Sequence, residues 1–257
     1  MIASNYPPLI NIFEKAARKA GKKLIRDFGE LEKLQVSSKS LGNFVTNADI
    51  YTERTIKEIL SYHFPDCGFI MEESENILGK NKDDFFVIDP IDGTSNFIHG
   101  IPQFCIVISK LTKNNITDGI IYNPITNEFF WASKGKGAWL NNHRIRVSKR
   151  KNLNECIIGA SSIEKQKNYI KQSLFLKEKS ASFRAMGSAA LDLAFVASGR
   201  LDAFWGNNLN IWDISAGVLL VSEAGGKITK TNGNEWDIES RDILASNSSI
   251  HDEIIII

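Results

Sequence analysis

Between residues 69 and 132 the chain repeats one pattern: a short β-branched or aromatic run, then a cluster of Asp, Asn, Gly or Pro. The runs are Phe69-Ile70-Met71, Phe85-Phe86-Val87-Ile88, Phe104 to Leu111, Ile116 to Tyr122 and Glu128 to Ala132. Short strands joined by tight turns predict a largely antiparallel sheet. At 43% hydrophobic, the 257 residues carry enough apolar material to cover it.

Two helices precede the sheet. Leu9, Phe13, Ala16, Ala17, Ala20 and Leu24 recur at helical spacing after Pro7-Pro8, which predicts a helix ending near Gly29. Thr46-Asn47-Ala48-Asp49 has the shape of a capping start, with Ile56, Ile59, Leu60 and His63 on one face before Pro65. The later chain alternates helix and strand: helix Ala189 to Ser198, strand Leu201 to Trp205, helix Ile214 to Ala224, with Ile254 to Ile257 as a terminal strand or packed tail. The polar stretch Lys149-Arg150-Lys151-Asn152 marks the best boundary, giving halves 1–150 and 151–257.

Lys+Arg 31 against Asp+Glu 30 leaves a formal net charge of +1, so no general attraction to nucleic acid or anionic lipid is implied. Cys67, Cys105 and Cys156 are widely spaced and read as free thiols. With no basic segment leading into an apolar run and no membrane-length apolar stretch, a soluble cytoplasmic protein is expected.

Chemistry concentrates in Phe85-Phe86-Val87-Ile88-Asp89-Pro90-Ile91-Asp92-Gly93-Thr94-Ser95-Asn96-Phe97. A buried strand runs into two acids; Pro90 fixes φ, and Gly93 permits a tight turn or close ligand approach. The carboxylates of Asp89 and Asp92, with the Ile91 carbonyl, can converge on one point, and hard oxygen donors of this kind suit Mg²⁺ or Mn²⁺. Thr94, Ser95 and Asn96 follow where a helix can begin and face an anion with its N–H groups. An isolated Asp-x-x-Asp-Gly is more often an ordinary turn at Asp92-Gly93 with Asp89 a helix cap. Glu72-Glu73, directly after an apolar strand, and Trp212-Asp213, at the start of an apolar helix, are further acidic elements. Alone they read as a surface turn and an N-cap, as does Asp49.

Taken in order, these elements resemble the inositol monophosphatase family of Mg²⁺-dependent, lithium-sensitive phosphatases. Glu72-Glu73, Asp89 to Phe97 and Trp212-Asp213-Ile214-Ser215-Ala216-Gly217 match its pattern, supported by Phe44 to Asp49, His99 to Phe104, Gly119 to Pro124 and Gly135 to Trp139. The resemblance implies a layered αβαβα sandwich of the inositol monophosphatase and fructose-1,6-bisphosphatase type, usually a homodimer, acting on a small phosphorylated substrate. It implies one Mg²⁺ on Glu72, Asp89 and the Ile91 carbonyl, a second on Asp89, Asp92 and Asp213, and a weaker third helped by Glu72. Thr94 and Glu72 would position and activate the attacking water, with Asp49 bonded to Thr94. Gly93, Thr94, Ser95 and the following amides would cradle phosphate. Ser188 and Ala189 resemble the substrate-side helix start, and Lys39 a loop lysine. Uncatalysed phosphate-monoester hydrolysis needs acceleration towards ~10²¹-fold. One general base supplies only ~10²–10⁴, so clustered metal ions are the expected remedy.

Departures bear on substrate choice. Gly206 occupies the position where inositol-selective relatives carry a Glu that contacts sugar hydroxyls, with Asn207 and Asn208 beside it; Met71 and Asn43 differ without removing a metal ligand. Inositol monophosphate is the first expectation. Fructose 1,6-bisphosphate, 3′-phosphoadenosine 5′-phosphate and histidinol phosphate are alternatives, and a regulatory binding protein with a vestigial metal site is the reading from another class. His63, His99, His143 and His251 lack metal-ligand spacing, and no serine-hydrolase elbow or complete nucleotide loop is present.

Overall fold

Helix α1 (Pro8–Phe28) starts with proline at its first position, where the missing N–H costs nothing, and buries Ile10, Phe13, Ala16, Ala17, Ala20 and Leu24. The computed structural model describes residues 6–30, 36–40, 43–161 and 167–255. A short hairpin, β1 (Val36–Ser40) and β2 (Asn43–Thr46), leads into α2 (Asn47–His63). Helix α2 opens with a capping box between Thr46 and Asp49; Ile56 and Leu60 turn inward, while His63 is exposed.

The first sheet contains β3 (Gly68–Met71), β4 (Asp84–Asp92), β5 (Cys105–Thr112), β6 (Asn115–Asn123), β7 (Glu128–Ser133), β8 (Ala138–Leu140) and β9 (His143–Arg144), in that spatial order. Only β3 and β4 run parallel; the other pairs are antiparallel, as expected. A five-residue helix, α3 (Thr94–Ile98), sits between β4 and β5. The second sheet is made of β10 (Ile157–Ala160), β11 (Ser182–Arg184), β12 (Ala203–Gly206), β13 (Gly226–Thr229) and β14 (Ile243–Asn247), in the order β11-β10-β12-β14-β13. Its helices are α4 (Lys167–Lys179), α5 (Ala189–Ala197), α6 (Ile211–Glu223) and α7 (His251–Ile255).

Strand alternation stacks these elements into five layers. Phe86, Ile88, Ile106 and Ile108 pack on α1 and α2, whereas Val87, Val107 and Ile121 pack on α5 and α6. The same α5–α6 layer meets Phe204, Ile243 and Ala245 of the second sheet. Ile158, Ala203, Trp205 and Leu244 face the opposite way, onto Leu176 of α4 and Ile254 of α7. This is the αβαβα sandwich.

Two sequence expectations change. The tail through Ile254 is packed but helical, because Ile254 docks on the outer face of the second sheet; Ile256 and Ile257 lie outside the described residues. Strand β4 continues through Pro90 to Asp92 instead of stopping before the acids. Pro90 is tolerated because pairing with β3 has ended at Ile88, and the register with β5 bulges between Asp89 and Asp92.

Candidate active site

The bulge that ends β4 aims both acids at one corner of the molecule. Asp89 Oδ1 accepts the Ile91 N–H at 2.9 Å, a local turn that holds its carboxylate. Gly93 then adopts φ 96°, a left-handed conformation that favours glycine. An added Cβ would lie 2.9 Å from the Gln103 carbonyl and 3.2 Å from that of Gly187, so space demands glycine as well.

Helix N-termini converge on these strand ends. Asp213 does not open α6 but is its third residue, where its Oδ2 accepts the Asn210 N–H at 2.6 Å. Asp49 repeats that arrangement in α2, accepting the Thr46 N–H at 2.8 Å and the Thr46 hydroxyl at 2.6 Å. The positive ends of the helix dipoles favour acids at both positions.

One carboxylate oxygen from each of Asp89, Asp92 and Asp213 lies within 4.8 Å of the other two. Asp89 and Asp92 are 1% and 9% exposed. Burial, then the charges of Glu72, Asp92 and Asp213, then a hydrogen bond with Glu72, hold Asp89 well above the usual carboxylate range. Asp213 is raised by burial first and by Asp92 and Glu72, while the Asn210 N–H and the Arg241 guanidinium pull against the rise. Asp92 is pushed up to about 6 by burial, with donated hydrogen bonds opposing it. Buried acids that repel one another hold their protons or take up a compensating cation. An all-oxygen set of this kind fits a hard divalent ion.

Of the remaining predicted residues, Thr94, Ser188 and Ala189 hydrogen-bond to the segment that carries Asp89 and Asp92. Thr94 donates its hydroxyl to the Ile91 carbonyl at 2.9 Å and approaches Asp49 Oδ1 at 3.4 Å. Asp49 is fully buried and raised to about 6, chiefly by desolvation. Ser95 is exposed at the start of α3. Ser188 caps α5, accepting the Leu191 N–H at 3.3 Å, but turns its proton onto Asp92 Oδ2 at 2.5 Å. Ala189 follows as the first residue of α5. Gly206 is buried at the end of β12, and a Cβ there would lie 2.7 Å from both Leu209 Cδ1 and the Phe204 ring, so it faces packed side chains. The Lys39 side chain lies outside the described residues.

Glu53 and Asp192 gave no sequence signal, and Asn96 and Cys105 gave none for the contacts they make here. Glu53, 2% exposed, accepts the Glu73 N–H at 2.9 Å and anchors the acidic pair. Asn96 ties α3 to two carbonyls, those of Gln103 (2.7 Å) and Met186 (2.8 Å). Cys105 Sγ lies 3.8 Å from Asp92 Oδ2. Asp192, 1% exposed in α5, has no hydrogen-bond partner for either oxygen among the described residues, and burial followed by the Asp92 charge raises it well above the usual range.

Comparison with known proteins decides the class. Residues 5–256 match the model of the inositol monophosphatase family. The chain belongs to that family. An inositol-1-monophosphatase of Caulobacter vibrioides is 45% identical over 94% of this chain and 97% of its own length. A putative Nus factor SuhB of Neisseria meningitidis is 41% identical over 95% of each. The solved structure of an inositol monophosphatase (IMPase) from Thermotoga maritima superposes with a TM-score of 0.89 at 34% identity, covering 97% of this chain and 96% of that one. Membership makes the chain an enzyme of the phosphoric monoester hydrolase class with the inositol monophosphatase fold, and its acidic cluster can hold a metal. Among the described residues no helix is long and apolar enough to cross a membrane.

Proposed function

We propose that this enzyme hydrolyses small phosphate monoesters, inositol monophosphate first among them, with Mg²⁺ held by Glu72, Asp89, the Ile91 carbonyl, Asp92 and Asp213. The observation that carries the reading is the convergence of Asp89, Asp92 and Asp213 within 4.8 Å. When bound, the ions supply a water of lowered pKa and stabilise charge on the phosphate. Two to three ions are expected, with Mn²⁺ as a substitute.

The protein's own groups do the rest. Asp49 and the Ile91 carbonyl fix the rotamer of Thr94, whose hydroxyl orients the attacking water, while the Glu72 carboxylate receives the water's proton. Gly93 brings backbone close to the phosphate, and the amides of Thr94 and Ser95 bind its oxygens. Ala189 and Asp213 line the side from which the alcohol leaves. Inhibition by lithium, a homodimer and a cytoplasmic location are part of the same reading.

Because Gly206 stands where inositol-selective relatives carry a Glu, fructose 1,6-bisphosphate, 3′-phosphoadenosine 5′-phosphate and histidinol phosphate are the alternatives. The relatives named Nus factor favour a second, binding role beside catalysis. Phosphate release across a panel of these esters, with and without Mg²⁺, tests the proposal. Mg²⁺-dependent turnover highest with inositol monophosphate is expected. Absence of turnover with every ester would overturn the enzymatic reading, and a different best substrate would reassign it.

A further inference from the structure

Asp92 differs from its two neighbours in how its second oxygen is used. Its Oδ2 accepts the Ser188 hydroxyl at 2.5 Å and the Ala190 N–H at 2.8 Å, and the Cys105 thiol approaches it at 3.8 Å. These donors come from two elements far apart in sequence: the N-terminus of α5 and the first residue of β5. All are buried: Ser188 is 2% exposed and Cys105 fully covered. A carboxylate oxygen has about two lone-pair sites, and Ser188 and Ala190 take the short contacts to Oδ2, with the Cys105 thiol a weaker third at longer range.

We propose that Ser188, backed by Cys105, is a positioning residue for Asp92, which holds it to one-oxygen coordination of the active-site ion through Oδ1. This rests on the metal-dependent reading above and deepens it. An N-cap requires only an acceptor, and Ser188 meets that need with its lone pair on the Leu191 N–H. Its single proton is therefore free for another partner, and it lies on Asp92 instead of pointing to solvent. A hydroxyl so engaged is not a donor to substrate. Cys105 adds a weak S–H donor and, through its 3.7 Å approach to Ser188 Oγ, covers the bond from water. The cap of α5 and the orientation of a metal ligand thus share one side chain.

The test is Mn²⁺ binding to the full-length chain, followed by the electron paramagnetic resonance of the free ion, alongside Mg²⁺ activation and KM for a phosphate ester. Ser188→Gly removes the donor while largely sparing the cap; Ser188→Ala is its check, and thermal melting confirms that each variant folds. Loss of a group that orients a ligand weakens metal binding about 10–100-fold. Both variants should show that loss, with Mg²⁺ half-activation shifted in parallel and KM at saturating Mg²⁺ within about twofold. Ser188→Thr should recover most of the affinity, and Cys105→Ala should weaken it by less than Ser188→Gly. Unchanged Mn²⁺ affinity in Ser188→Gly, or a change confined to KM, would overturn the proposal. Asp89→Asn in the same assay separates the two levels. If it abolishes Mn²⁺ binding while Ser188→Gly does not, only the role of Ser188 fails; if it leaves binding intact, the metal reading fails and this one with it.

Discussion

Asp49 and Asp92 are both raised to about 6, mainly because burial disfavours their charged forms. In the unfolded chain each ionises nearer its ordinary value. As pH climbs through that window the unfolded state loses protons that the folded state keeps, and stability falls until the folded pKa is passed. Asp89, Asp192 and Asp213, raised first of all by burial, add to the loss in the same direction. Metal-free protein should therefore melt at a higher temperature near about pH 5 than near about pH 7.5, and Mn²⁺ should raise the melting temperature more at the higher pH. Calorimetry showing an equal gain at both would contradict the cluster's role. Gly206 supports a second prediction. Because Leu209 and the Phe204 ring lie 2.7 Å from an added Cβ, Gly206→Glu should cost about 1–3 kcal/mol in denaturant unfolding, and adding Leu209→Ala should recover part of it. If the double variant is no more stable than the single one, Leu209 is not the obstacle. Some residues were legible in advance: Asp89 and Asp92 stand out because Pro90 and Gly93 punctuate the strand around them. Cys105 and Asp192 were not, since a thiol opening an apolar strand and one acid inside an apolar helix are local patterns that fit packing or a solvent face equally well.

At the scale of elements, the site is built where strands end and helices begin. Asp49 and Asp213 use the same device, an acid at the third helical position that accepts the N-cap N–H, so the backbone holds each carboxylate in place. The bulge in β4 does the equivalent for Asp89 and Asp92. Asn96 joins the two structures by bonding the segments that precede β5 and α5. Asn96→Ala leaves both carbonyls unpaired and should cost on the order of 2 kcal/mol or more, with a parallel fall in phosphatase turnover; turnover at the wild-type level would show that the strut is dispensable to the site. The elements legible in sequence were those with a periodic face or an apolar run: α1, α2, β3 to β7, α5, β12 and α6. Strands β8 to β11 are two to four residues long, too short for alternation to rise above loop composition. The start of α6 was missed by three residues because Asn210, a good N-cap, carries no preceding apolar period.

Across the whole molecule, the α5–α6 layer is the shared core of both sheets. We propose that 1–150 and 151–257 are two parts of one cooperative unit, since neither sheet keeps both faces covered without that layer. A single calorimetric transition with equal van't Hoff and calorimetric enthalpies is expected; two resolved transitions would mean independent domains. The same layer carries Ser188 and Asp213 to the acids of β4, so sandwich and site form together. Anomalous diffraction from crystals soaked in Mn²⁺ tests that centre directly. A peak bounded by the carboxylates of Asp89, Asp92 and Asp213 is predicted, and density showing those side chains turned apart with no ion between them would contradict it.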